Sequence, residues 1–240
     1  MPAEIVVLPT KQAVAEALAD RTATALRAAL AREPRVTLCL TGGSTPVPAY
    51  ERLAAAEDID WGRVHLFWGD ERCVEPDHPE SNYRMAKRTL IDPAGIPASN
   101  VHKMPGGCPP AEGAAVYEQA LEQFFGDELR FDVLHLGMGD DGHTASLFPG
   151  TAALGVTDRR VAVGQAPPSA AVRDRLTLTF PTLAHADLCL VAAAGAGKRE
   201  AFADVLDAYD GDSEGPPAAR VRADGEMVWL VDRAMAQGED

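Results

Sequence analysis

VTLCLTGGSTP, residues 36–46, sets the architecture of this chain. Residues 36–40 are a short, mostly apolar β-type run that passes directly into Thr41-Gly42-Gly43-Ser44-Thr45-Pro46, and beyond the proline Tyr50, Leu53 and Ala54 recur at helical spacing. The order is strand, glycine turn, helix. A strand without polar alternation is apolar on both faces, the condition of a strand in a parallel sheet covered by helices on either side.

The cycle extends in both directions. Toward the N-terminus, Thr10 reads as an N-cap and Val14, Leu18, Leu26 and Leu30 form one helical face that Glu33 and Pro34 close. Toward the C-terminus, residues 64–68 are strand-like, 81–90 helical with Pro93 beyond, and 114–125 helical with Gly126 as a C-terminal cap. Residues 131–136, 160–163, 176–180, 188–192 and 227–231 add further strands. This alternation predicts an α/β class with a mostly parallel sheet. No repeat of 20 to 50 residues is present, and DGDSEGPP at 210–217 is short enough for a surface loop. A single domain over residues 1–240 is expected.

Composition narrows the function classes. With 46% hydrophobic and 24% charged residues the chain is globular rather than disordered. Twenty-two Lys plus Arg against 36 Asp plus Glu give a net charge of -14, which repels nucleic acid in the absence of a basic face. Cys39, Cys73, Cys108 and Cys189 are scattered without a CxxC pair, as in a reducing compartment. The start, MPAEIVVLPT, has neither a basic n-region nor a long apolar h-region, and the apolar stretch 188–197 is too short to span a bilayer. A cytoplasmic protein with a small-molecule ligand, and no nucleic-acid or membrane partner, is expected.

In parallel sheets ligands bind where strands end in turns. Four turns carry unusual residues: 41–46, 69–72, 137–149 and 193–198. Gly42 and Gly43 clear the backbone for an anion, and Ser44 and Thr45 add hydroxyl and amide donors at a helix start, which suits phosphate; alone, a glycine pair is also a common tight turn. Gly195-Ala196-Gly197-Lys198 fails as a nucleotide P-loop, since Ala192 stands at the first glycine and Arg199 at the magnesium-binding hydroxyl. What survives is Lys198 beside a helix start, suited to a monophosphate without a metal, or simply solvated. Arg175, at the start of LTLTF, reads as a half-exposed strand-end arginine.

Gly137-Met138-Gly139-Asp140-Asp141-Gly142 matches GxGxxG, yet Pro149 stops a following helix and two carboxylates stand where a pyrophosphate would sit. His143 is the better signal. An imidazole oriented by a carboxylate deprotonates water near neutral pH. His65 and His135 alternate within apolar strands and read as core, whereas His78, His102 and His185 read as surface. Asp140, Asp141 and His143, with Asp70 and Glu71, offer metal ligands, but without HxxxH or HxH spacing no metal is expected. GGSTP is not a GxSxG elbow, so Ser44 is no hydrolase nucleophile, and Cys73 reads as a small buried thiol. Asp70-Glu71-Arg72 ends the strand 64–68; Arg72 there suits a carboxylate or a developing oxyanion, and a solvated charge run is the competing reading.

Together TGGSTP (41–46), FWGDERCV (67–74), Ser81-Asn82-Tyr83, GMGDDGHTASLFPG (137–150), RLTLTFPTL (175–183) and GAGKREAF (195–202) resemble the family of 6-phosphogluconolactonases and glucosamine-6-phosphate deaminases over nearly the whole chain. The resemblance implies a three-layer α/β/α sandwich with a Rossmann-like sheet. It also implies hydrolysis of 6-phosphoglucono-1,5-lactone in the oxidative pentose phosphate pathway, without an organic cofactor. It makes His143 the general base and Gly43, Ser44, Arg175 and Lys198, in the 41–46 cradle and beyond, phosphate contacts; Asp70, Arg72 and Asp141 fall around the sugar ring. DER with Ser81-Asn82, and HTASLFP where deaminases have HIAFNEP, favour the lactonase branch; Thr41 replaces a frequent serine. The alternatives are an amino-sugar-phosphate deaminase or isomerase, and a non-catalytic sugar-phosphate sensor. Neither the helix before Pro34 nor the acidic end 237–240 supplies the DNA-binding module a sensor needs.

Overall fold

Thr10 begins the first helix as its sequence predicts, its Oγ1 accepting from Ala13 N at 3.2 Å. The computed structural model describes residues 3–211 and 214–237. In chain order the strands are β1 (Glu4–Leu8), β2 (Val36–Leu40), β3 (Val64–Trp68), β4 (Asp70–Arg72), β5 (Phe131–Leu136), β6 (Val161–Gln165), β7 (Asp174–Leu178), β8 (Ala186–Ala193) and β9 (Glu226–Asp232). The helices are α1 (Lys11–Leu30), α2 (Val47–Ala54), α3 (Asn82–Ala86), α4 (Asp92–Ala94), α5 (Pro110–Phe125), α6 (Phe180–Ala184), α7 (Arg199–Asp210), α8 (Pro217–Arg220) and α9 (Arg233–Ala236).

Six strands form one wholly parallel sheet in the order β1-β9-β8-β5-β2-β3. β2 is buried at all five positions, because helices cover both faces of its sheet. Long helix α1 packs on β5, β8 and β9, and Phe124 and Phe125 at the end of α5 close on Phe67 and Phe131. Phe202 of α7 lies against Trp229, whose Nε1 donates to Tyr209 OH at 2.9 Å. Full burial of a side chain such as Phe67, Phe131 or Phe202 contributes about 1.5–3 kcal/mol.

The chain leaves β2 toward β3 on one side, and leaves β5 toward β8 on the other. Loops that diverge in this way open a crevice between the carboxyl ends of β2 and β5.

Several expectations change. Residues 69–72 are not a strand-to-helix turn: β4 pairs antiparallel with β7, and β7 with β6, as a second, three-stranded sheet. Gly69 stitches the two sheets, donating to Leu40 O and accepting from Leu178 N. The expected strands 160–163 and 176–180 are thus β6 and β7, antiparallel, with Phe180 opening α6. β1, absent from the sequence reading, is a half-exposed edge strand. The helix expected at 81–90 continues through a π turn, Lys87–Ile91, into α4, and Pro93 lies inside it rather than beyond it. His102 is half-buried, its ring stacked on Phe67 at 4.5 Å, and burial with its neighbour His65 pushes it down to about 4. Asp212 and Ser213 of the 210–217 loop, and 238–240 of the acidic end, lie outside the described residues, as do Met1 and Pro2. Among the described residues no helix is long and apolar enough to cross a membrane.

His135 is the buried core residue its strand position predicts. Thr22 Oγ1 gives its proton to Leu18 O, so His135 Nε2 donates to Thr22 Oγ1 at 2.7 Å. Burial pushes the ring down to about 3. The unfolded chain takes up this proton near pH 6.5 and the folded one does not, so stability present above that pH is lost as pH falls toward 3. Urea unfolding at pH 7 and pH 5 will show a weaker pH dependence for His135→Leu than for wild type, by up to about 1.4 kcal/mol per pH unit. Thr22 and Tyr50 keep backbone acceptors in that variant. Identical slopes would mean that the native ring protonates.

Candidate active site

The crevice holds a cavity of about 330 Å³ bounded by the turns after β2, β5 and β8, with β4 and β7 on one side. The turn after β5 shapes the imidazole. Gly139 N donates to His143 O at 2.9 Å and Gly142 N to Gly139 O at 3.1 Å, with Gly142 at φ +75, which a side chain rarely adopts. His143 Nδ1 lies 2.5 Å from Asp141 Oδ1, and His143 N donates to the same oxygen at 3.1 Å. Burial works to raise the Asp141 carboxyl, but hydrogen bonds from the His143 ring and backbone outweigh it and hold it below its ordinary value. An ionised carboxylate only accepts, so Nδ1 carries a proton, and in the neutral ring Nε2 keeps its lone pair. Phe148 supports the ring at 4.2 Å between centroids. Ala145, two residues on, sits at φ +48, among the described residues the one non-glycine in the left-handed region.

The charges of 70–72 are not a solvated run. Asp70 is 7% exposed and accepts from Ser146 Oγ at 2.7 Å and Asn82 Nδ2 at 3.3 Å. Glu71, 2% exposed, accepts from the backbone N–H groups of Arg72, Asn82 and Tyr83 and from Ser81 Oγ. Burial raises its carboxyl despite those bonds. Asn82 is pressed so closely on the loop after β2 that a Cβ at Gly42 would lie 2.0 Å from its Oδ1. This explains Gly42 better than an open approach for an anion.

Arg175 is likewise no half-exposed strand-end residue. It lies inside β7, 7% exposed, directly opposite Arg72 of β4, and both line the cavity. Burial, then the Arg72 charge, lowers its guanidinium, and its Nη1 is buried with no hydrogen-bond partner. Arg72 Nη1 donates to Glu80 O at 2.6 Å and reaches Glu80 Oε2 at 3.3 Å. Lys198 Nζ donates to Asp140 Oδ1 at 3.0 Å, on a loop pinned by Asp232, which accepts from Gly195 N.

Of the residues expected here, His143, Arg72, Asp70, Gly42, Gly43, Ser44, Thr45, Arg175 and Lys198 all line the one cavity, and Asp141 holds the imidazole from its far nitrogen. Lys11 lines it too, its Nζ 2.8 Å from Ser44 Oγ, and the sequence reading missed it. Its only sequence signal is a lysine, with no acid in the first turn, at the start of α1. Cys73 is half-buried, its thiol pushed up to about 11 by burial and then Asp174. Among the described residues no three His, Cys, Asp or Glu side chains converge to hold a metal ion.

The family model for glucosamine-6-phosphate isomerases/6-phosphogluconolactonase matches residues 9–229. The 6-phosphogluconolactonase of Nostoc sp. is 43% identical over 98% of this chain and 97% of its own, and that of Synechocystis sp. 40% identical over 97% of each. The solved structure of 6-phosphogluconolactonase from Trypanosoma brucei superposes with a TM-score of 0.87, at 29% identity and 99% coverage of both chains.

A Cβ on Gly139 would lie 2.1 Å from the His143 ring and 2.9 Å from Asp141 Oδ1, and the Gly139 backbone is outside the left-handed region, so alanine there strains the His143–Asp141 pair. In Gly139→Ala the downfield Nδ1 proton shared with Asp141 will disappear from the proton NMR spectrum, with the melting temperature moved by less than about 5 °C. An unshifted imidazole signal would contradict this packing.

Proposed function

The chain belongs to the glucosamine-6-phosphate isomerase/6-phosphogluconolactonase family, and on that footing we propose that it hydrolyses 6-phospho-D-glucono-1,5-lactone to 6-phospho-D-gluconate in the oxidative pentose phosphate pathway. The observation that carries this reading is an Asp141-oriented imidazole facing the same cavity as Arg72, Arg175 and Lys198. A δ-lactone is an activated ester, so a held water and a base meet its chemical needs without a covalent nucleophile. His143 Nε2 takes a proton from water as the oxygen bonds to C1, and Asp141 stabilises the imidazolium. Arg72 faces the oxygen on which negative charge develops. The C1–ring-oxygen bond then breaks, the ring oxygen takes the proton back from His143, and the new acid ionises.

Phosphate is the handle. Gly43, Ser44, Thr45, Arg175 and Lys198 hold it away from the reacting carbon, and that binding energy orients C1 toward the water. The unpartnered Nη1 of Arg175 supports an anionic guest, since a buried donor left alone costs about 1–3 kcal/mol. Asp70, held by Ser146 and Asn82, reads a sugar hydroxyl. Residues 1–240 act as one unit in this reading, and free Cys39, Cys73, Cys108 and Cys189 support a reducing, cytoplasmic setting.

In a coupled assay that generates the lactone in situ, with spontaneous hydrolysis subtracted, His143→Ala will lower kcat by about 100- to 10,000-fold. Its affinity for 6-phosphogluconate by calorimetry will stay within about threefold of wild type, as expected for a group outside the phosphate contacts. Wild-type turnover in the variant would remove His143 as the base.

A further inference from the structure

The cations of the cavity differ in how they are balanced. Arg72 reaches Glu80 and Lys198 reaches Asp140, but among the described residues Lys11 has no carboxylate within salt-bridge distance. Its one bond is to Ser44 Oγ. An ammonium only donates, so Ser44 must accept, and its hydroxyl proton is left for another acceptor; among the described residues no protein group takes it. Lys11 is also the first residue of a twenty-residue helix with no acid in its first turn. A lysine there adds to the positive end of the helix dipole, which is unfavourable until an anion arrives.

Resting on the lactonase reading, we infer that Lys11 is a positioning residue that sets the preference for a phosphorylated over an unphosphorylated sugar lactone. It holds Ser44 Oγ so that the hydroxyl proton points at a phosphate oxygen, and it brings the start of α1 to the same guest. The determinant therefore comes from a helix remote in sequence from the other phosphate contacts.

Lys11→Met and Lys11→Arg test this with 6-phosphoglucono-1,5-lactone and glucono-1,5-lactone side by side. Lys11→Met will raise KM for the phosphorylated lactone about tenfold, the loss expected for a charge-assisted contact. It will move kcat less than about twofold and leave glucono-1,5-lactone turnover unaltered, as for a contact made equally in ground and transition states. Lys11→Arg will restore most of the loss. Separately, inorganic phosphate will raise the melting temperature of wild type more than that of Lys11→Met. A KM change common to both lactones, or equal stabilisation of both proteins by phosphate, would overturn the inference. A wild type that turns over neither lactone would instead sink the lactonase reading, and the phosphate arm would still decide the role of Lys11.

Discussion

Two buried carboxylates on a three-residue strand hold the cavity together. Asp70 and Glu71 are removed from water, where an unsatisfied charge costs several kcal/mol. Their acceptors must therefore be filled, and the donors that fill them come from separate parts of the chain: Asn82, Tyr83 and Ser81 at the start of α3, Ser146 beyond His143, and the backbone of Arg72. Satisfying the charges draws α3, the turn after β5 and the loop at Gly42 to one place. The rim of the parallel sheet is shaped by that requirement as much as by its own register.

Local pattern was readable, and long-range pairing was not. β2, its glycine turn and α2 follow one another without interruption, so their order and bounds emerge from residues 36–54. β4 is too short and too charged to show a period, and only its partner β7, a hundred residues on, makes it a strand. The same distance hid the burial of Arg175, a residue type that composition assigns to the surface. Lys11 was invisible for a related reason: β1, which brings the start of α1 to the rim, is half-exposed and reads as an unstructured lead-in. His102 went astray because its cover comes from Phe67 and Phe124, on other elements. His143 was legible because glycines and carboxylates surround it within one turn.

The charge of -14 and a cation-lined cavity are compatible because they act over different distances. Exposed acids farther than a Debye length of about 8 Å from the cavity are screened, while Arg72 and Arg175 face each other across two paired strands. That pair is repulsive when nothing lies between it. Glu80 relieves Arg72, whereas Arg175 is left with a buried unpaired donor.

The π turn at Lys87–Ile91 gives this arrangement an unusual sensitivity. Such a turn stores one residue more than an α-helical turn, and deleting it would rotate everything upstream by about 100° about the helix axis. Leu90 and Ile91 are anchored in the core, so the rotation would fall on Ser81 and Asn82. An insertion or deletion there would be felt as a broken pocket rather than a broken helix.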